Sequence, residues 1–360
     1  MKKTLSLILI LCLLLCGCAA EAPAETTAAP TEATETVPPT TQEPTEPPTE
    51  APTEPPKPTN PLTGETLEKA LESRIIAVTI NNVQGAMPMY GVSKADLFFE
   101  MFVNGYCTRG LALYADISEV SAVGSVRSLR YNFTDLCQTY DAIVAHCNGS
   151  DQVIRDMHAS GVSNVNVEME GSGYYFRDKT RNGQGYAWEH CLFVRGPEIQ
   201  AYAMNKGIGA LEDPDRDYGL VFAEDATPDG EDAGKITIHL KHDGVTKKTI
   251  MEYDAQAGQY RFFQYGKPMY DGSEKQDILF ENVIVMFCKV YNDDVYHVAE
   301  LVGSGEGYFA CNGKIIPIVW SHESMEQPIV FTHPDGTPLE LGVGGSYIAI
   351  APLTSIVEYE

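Results

Sequence analysis

Arg109, Arg127 and Arg130 are the residues in this chain best suited to chemistry. Each guanidinium is a permanent cation whose planar fork matches a phosphate or a carboxylate. Arg127 and Arg130 stand three positions apart in GSVRSLRYNF (124–133), where Leu129, Phe133, Leu136, Cys137 and Tyr140 recur at helical spacing and predict a helix. That spacing places both arginines on one side of the first turn, where free backbone N–H groups already favour an anion. Gly124 and Ser125 let a ligand approach the backbone, and Arg109 opens the predicted strand RGLALYAD (109–116) at what would be the same edge. Cations at a helix start oppose the helix dipole, so a counter-charge is expected there. It is either a bound anion or one of the carboxylates Asp96, Glu100 and Asp135.

In ADLFFEMFV (95–103) the alternation puts Asp96, Phe98, Glu100 and Phe102 on one face of a strand. Asp96 and Glu100 have the chemistry to hold a divalent metal ion, the only cofactor the residues suggest, or to serve as a general base; pairing with the arginines is the commoner use. His146 closes the predicted strand DAIVAHC and has the chemistry of an acid or base, although a histidine without a fixed partner is more often structural. Ser150 reads as the cap of the helix SDQVIRDMHAS, since no nucleophile elbow surrounds it. Arg177 and Asp178 in YYFRDKTR and His190 in WEHCLF are expected at the border of the arginine site. Asp213, Asp215, Asp217 and Glu224 match calcium-loop positions 1, 3, 5 and 12, but Tyr218 stands where the loop needs glycine, so an exposed acidic loop is the default.

The elements around these residues divide the chain. MKKTLSLILILCLLLCGCAA carries two lysines, an apolar run too short for a comfortable span, and Leu15-Cys16-Gly17-Cys18, which looks like a bacterial lipobox. Residues 1–18 are therefore expected to be a signal peptide, with Cys18 lipidated and the chain tethered to membrane lipid on the outer face. Residues 19–59, almost wholly Pro, Thr, Glu and Ala, cannot bury enough surface to fold and read as a disordered stalk. Residues 60–212 alternate strands and helices, an α/β pattern; 213–234 form an acidic loop or linker; 235–360 are rich in strands, with Asp335-Gly336 marking a hairpin. The expected fold is α/β, or α+β overall: a mixed-sheet domain followed by a smaller β-rich one.

The net charge is −25, of which −20 falls in residues 60–360, so binding of nucleic acid through a phosphate-neutralising surface is excluded. Cysteines 107, 137, 147, 191, 288 and 311 permit disulfides outside the membrane, but most lie in apolar runs that suit a small buried hydrophobe, and no zinc spacing is present.

Taken together, NPLTGE, ADLFFE, TRGLALYAD, GSVRSLR, YDAIVAHCNGS, YYFRD, LVGSGEGYFACNGKIIPIVWSHES, FTHPDGTPLELG and SYIAIAP resemble the YerB-like bacterial lipoproteins, a family whose domain has no settled function. The resemblance spans nearly all of 60–352. It also shows departures: Asn81 stands where the family commonly has an acid, Met87 near a family arginine, and Cys191 after His190 in place of an asparagine. The order of strands, arginine turn and helices is similar, in layout alone, to the LytR-CpsA-Psr ligases, which implies arginines and acids around a pyrophosphate and a metal. The expected function is binding of an anionic cell-envelope ligand in an arginine-lined crevice. The alternatives are a metal-assisted phosphotransferase or hydrolase on a pyrophosphate-linked precursor, and a scaffold for an envelope protein.

Overall fold

The computed structural model describes residues 57–360. The Cys18 lipobox and most of the proposed stalk lie outside them. Among the described residues no helix is long and apolar enough to cross a membrane. The folded unit begins a little before residue 60: Lys57 pairs with Glu68, and Thr59 bridges Thr66.

Up to residue 205 the chain lays down β1 (Ile76–Asn82), β2 (Leu97–Asn104), β3 (Cys107–Tyr114), β4 (Val123–Gly124), α1 (Tyr131–Thr139), β5 (Ile143–His146), α2 (Asp151–Ser160), β6 (Asn164–Asn166), β7 (Tyr175–Arg177), α3 (Lys179–Gly183), β8 (Leu192–Val194) and α4 (Gly196–Asn205). All seven residues of β1 are buried, as its apolar run requires of a central strand. It pairs antiparallel with β3 and parallel with β5. Beyond residue 230 the chain is almost all strand.

The two parts do not build separate sheets. One 13-stranded sheet runs Glu231–Asp232, Lys314–His322, Gly303–Cys311, Asn282–Cys288, Ser346–Pro352, β2, β3, β1, β5, β6, with three short strands beside that path. The junction is the parallel pairing of β2 with Ser346–Pro352. A six-stranded sheet, built around Lys235–His242, Val245–Asp254 and Gln259–Gln264, covers one face of the large one. The architecture is thus α+β and strand-rich, with α1 and α2 on one face of a mixed sheet and the second sheet, together with α4, in the layer on the other.

Strand alternation sorts the core between these two layers. Phe98, Ala112, Tyr114 and Tyr347 pack with Ile236, Ile238, Met251 and Phe262 of the smaller sheet. Phe99, Leu111 and Leu113 pack with Leu129, Phe133 and Leu136 around α1, and with Val153 and Met157 of α2. Gly110 faces the first layer, where a Cβ would overlap the ring of Phe98. Burying that ring contributes roughly 2–3 kcal/mol, so the glycine is fixed by packing.

Ser150 does cap α2, its hydroxyl accepting from the Val153 N–H at 3.3 Å, and Gly161 ends the helix with φ of 78°. Ser150→Ala is expected to lower the unfolding free energy by about 1 kcal/mol, read from urea denaturation. Ser150→Asp should retain most of that stability.

Candidate functional site

The helix at the arginines begins later than its apolar period suggests. Arg127 to Arg130 is extended, Arg130 is the N-cap residue with φ of −137°, and α1 starts at Tyr131. Backbone pairing explains the difference. The Arg127 N–H donates to the Thr79 carbonyl of β1, the Arg127 carbonyl accepts from Cys147, and the Leu129 N–H donates to Asn148. A segment held on both sides has no free groups for helical bonds. The arginines therefore share a region because this stretch is pinned between β1 and the loop after β5, and not because of helical spacing.

Arg109 and Arg130 meet at the carbonyl of Ser128, to which Arg109 Nη1 donates at 2.7 Å and Arg130 Nη1 at 3.5 Å. Arg130 also donates to the Leu129 carbonyl and to Asn104 Oδ1, and its guanidinium lies 4.9 Å from the ring centre of Tyr296. Arg127 reaches the backbone carbonyl of Glu189 at 3.3 Å. Among the described residues, none of the three forms a salt bridge. Burial pushes the Arg109 guanidinium down to about 9, and the charges of Arg130 and Arg127 push in the same direction. Burial likewise lowers Arg127, partly offset by Glu189, and Arg130, partly offset by Tyr296. A guanidinium stays protonated under physiological conditions, so these shifts describe a standing cost of three neighbouring cations.

Polar atoms are also left over here. Arg127 Nε, Arg130 Nε, Ser125 Oγ and Asn81 Nδ2 are buried without a hydrogen-bond partner, four of ten such side-chain atoms among the described residues. Asn81 stands directly opposite Arg109 across β1 and β3, and its N–H donates to the Ser125 carbonyl. Unsatisfied buried groups are few in folded proteins, and here four of them gather beside three cations that lack a carboxylate partner.

The carboxylates expected to neutralise the arginines are engaged elsewhere. Glu100 and Arg109 point to opposite faces of the sheet, since Glu100 opposes Gly110 and Arg109 opposes Met101. Glu100 is fully buried against the smaller sheet. Its carboxylate accepts from Asn82, Thr108, Thr249, Gln264 and Tyr347 at 2.6–3.0 Å. Asp96 precedes β2, where it accepts from the Ala115 N–H at 2.6 Å and from Asn60, and burial raises it to about 7. Asp135 accepts from Asn132, and burial raises it to about 7 as well. Neither Asp96 nor Glu100 is placed to hold a metal or act as a base beside the arginines.

His146 is buried at the end of β5, with Nδ1 2.9 Å from the Asn148 carbonyl and Nε2 3.4 Å from Asn164 Oδ1, and burial lowers its proton affinity. Arg177 donates through Nε and Nη2 to both oxygens of Glu168 and through Nη1 to the Trp188 carbonyl, and it stacks 4.4 Å from the Trp188 ring, so its fork is committed. Asp178 caps α3, accepting from Thr180 and Arg181. His190 Nδ1 sits 3.0 Å from the Gly85 carbonyl and closes the 84–90 loop. Of these three, His190 keeps one ring nitrogen, Nε2, without a hydrogen-bond partner among the described residues. The acidic loop forms no calcium cage: Asp213 and Asp217 cap their own turns, and Arg216 donates to the Thr139 carbonyl. The six cysteines are free, four of them buried.

Sequence reasoning missed Arg181, a buried guanidinium that donates to the carbonyls of Ala86 and Pro88 amid Tyr90, Tyr186 and Phe193. Nothing in KTRNG distinguishes it from a surface arginine. It also missed Asn104 and Tyr296, which reach Arg130 from the end of β2 and from a hairpin far apart in the chain.

Two family models match this chain, one in each half of the folded part. "Protein of unknown function (DUF3048) N-terminal domain" matches residues 62–209, and the corresponding C-terminal domain model matches 236–348. The chain belongs to the DUF3048 family. A curated relative of this DUF3048 protein is "Putative lipoprotein YerB" of Bacillus subtilis (strain 168), 24% identical over 296 residues, covering 81% of this chain and 86% of the relative. The crystal structure of YerB from Bacillus subtilis superposes with a TM-score of 0.70 at 24% identity, covering 84% of this chain and all of that one. The YerB-like resemblance read from the motifs is therefore correct, and the fold is shared.

Proposed function

We propose that this DUF3048 protein is a membrane-anchored extracytoplasmic lipoprotein that binds an anionic cell-envelope ligand at Arg109, Arg127 and Arg130. The observation that carries the reading is three converging guanidiniums with no carboxylate partner among the described residues, in a domain that is otherwise acidic. A phosphate or carboxylate would supply the missing charge and the acceptors for the stranded Nε–H groups. Trp188, half exposed beside Arg177, and Tyr106, exposed on the turn before Cys107, offer flat surfaces on which a sugar or prenyl portion could rest. The anchor at Cys18 is supported by the lipobox and by the name of the curated relative. The metal-assisted transferase reading lacks its carboxylates, because Asp96 and Glu100 are engaged elsewhere.

The test is thermal unfolding of the full-length chain in detergent with pyrophosphate, a phosphorylated polyprenyl analogue or Mg²⁺, each alone and combined. A ligand at 100 times its dissociation constant adds roughly 2.7 kcal/mol of stability. The midpoint is expected to rise with a phosphate-bearing compound, and the rise should vanish in Arg127→Gln/Arg130→Gln, which puts amide donors in place of the charges. An unchanged midpoint with every anion, or a rise that survives the double substitution, overturns the proposal. The first of these results would turn the search to protein partners.

A further inference from the structure

His242, Asp243, Asn292 and His297 bring four ligand-type side chains to one point, away from the arginines. His242 ends the strand Lys235–His242, and Asp243 opens the turn after it with φ of 47°. Asn292 and His297 are directly paired across the hairpin Val290–Asp293/Tyr296–Ala299. The nitrogens of both histidines and a carboxylate oxygen of Asp243 lie within 4.8 Å of one another, the only such cluster among the described residues. The two imidazoles stand edge to face, 4.5 Å apart at 80°.

The hydrogen bonds lack one positive charge. Asn292 Nδ2 donates to Asp243 Oδ2 at 2.6 Å, which orients the amide so that Oδ1 faces both imidazoles. That oxygen lies 3.0 Å from His242 Nε2 and 2.7 Å from His297 Nδ1. The other nitrogen of His297, Nε2, lies 2.9 Å from the Gly105 carbonyl, which only accepts, so the proton of a neutral His297 belongs on Nε2. His297 thus faces an acceptor at each ring nitrogen, an arrangement that asks either for a second proton on the ring or for a cation held by the Nδ1 lone pair beside Asn292 Oδ1. The Nε2–H to Gly105 bond is also the outer contact that fixes the orientation of metal-bound imidazoles.

We infer that His242, His297 and Asp243, with Asn292 as a fourth ligand, form a binding site for a divalent transition metal ion. Two imidazole nitrogens with carboxylate and amide oxygens suit Zn²⁺ or a similar borderline ion better than Ca²⁺ or Mg²⁺, which prefer all-oxygen shells. The ion would fasten the turn of the smaller sheet to the hairpin that carries Tyr296, and so to the hairpin that packs on Arg130.

The experiment titrates Zn²⁺ into the full-length chain in detergent by calorimetry and replaces it with Co²⁺ for absorption. One ion per chain is expected, with visible Co²⁺ bands and no near-ultraviolet thiolate band. His242→Gln and His297→Gln should each weaken Zn²⁺ binding by at least roughly 100-fold, since even outer-shell changes cost 10–100-fold. Asn292→Asp, which keeps the oxygen and adds charge, should tighten it, and that gain remains readable if a histidine variant folds poorly. Absence of stoichiometric Zn²⁺ binding, a thiolate band, or unchanged affinity in both histidine variants and in Asn292→Asp overturns the inference.

Discussion

Glu100→Leu lowers the free energy of unfolding by about 3–5 kcal/mol, the cost of breaking one side of a buried charged network. The Glu100 carboxylate is the shared acceptor for five side chains. Asn82 and Thr108 come from the large sheet, as does Tyr347, and Thr249 and Gln264 from the smaller one. Gln264 in turn accepts from Lys247, whose amine burial lowers to about 8 while the charge of Glu100 acts in the opposite direction. Leucine fills the space but leaves the hydroxyls of Thr108, Thr249 and Tyr347 without their acceptor, while Asn82 keeps its bond to Thr108 and Gln264 its bond to Thr249, and it takes from Lys247 the charge of Glu100. An unpaired buried donor costs about 1–3 kcal/mol, so local relaxation must absorb part of the sum. Glu100→Gln keeps one acceptor oxygen and should fall between wild type and Glu100→Leu. Urea denaturation of the three chains checks the order. A Glu100→Leu variant within 1 kcal/mol of wild type would mean that the network does not join the sheets. Because Glu100 is on the face opposite Arg109, anion binding by whatever fraction remains folded should be unchanged, which separates this carboxylate from the arginine site.

Glu100 also shows where sequence reading stops. That it shares a strand face with Phe98 and Phe102 is visible in ADLFFEMFV, because alternation is local. Which layer that face meets is not, since its partners Thr249, Gln264 and Tyr347 lie 149, 164 and 247 positions away. The same limit hid the shared sheet. GSYIAIAP reads as a strand from its own residues, but its parallel pairing with β2 depends on contacts that no local period encodes. Short-range signals were legible: the Ser150 cap needs only its own helix start, and the Asp335-Gly336 turn only its two flanks, where Asp335 accepts from Thr337 and Gly336 has φ of 88°. The arginine cluster was half legible. The residue types pointed to an anion, while the supposed mechanism, a shared helical turn, was replaced by a segment whose backbone is taken by β1 and by the loop after β5.

The departure at position 81 yields the second large effect. Asn81 and Arg109 are opposite residues of an antiparallel pair, with side chains on the same face and Cβ atoms about 5 Å apart. The Asn81 amide has a buried nitrogen without a partner, next to a buried guanidinium without a counter-charge. Asn81→Asp converts that mismatch into a charge-assisted pair of nearly identical shape. Unfolding in the absence of ligand is expected to cost roughly 1.5–3 kcal/mol more than in wild type, the range for hydrogen bonds to charged groups. The same carboxylate would occupy the charge that an incoming anion needs, so the midpoint rise with phosphate-bearing compounds should shrink or disappear. Stability and ligand response thus move in opposite directions, which a purely structural role for the arginines does not produce. Asn81→Ala is the control: it removes the stranded amide without adding charge, so the ligand response should survive. If Asn81→Asp is no more stable than Asn81→Ala and still responds to ligand, the side chain at position 81 does not pair with Arg109 and has no part in keeping that arginine free. If it gains stability and loses the response, the asparagine keeps the arginine free for an anion supplied from outside the chain.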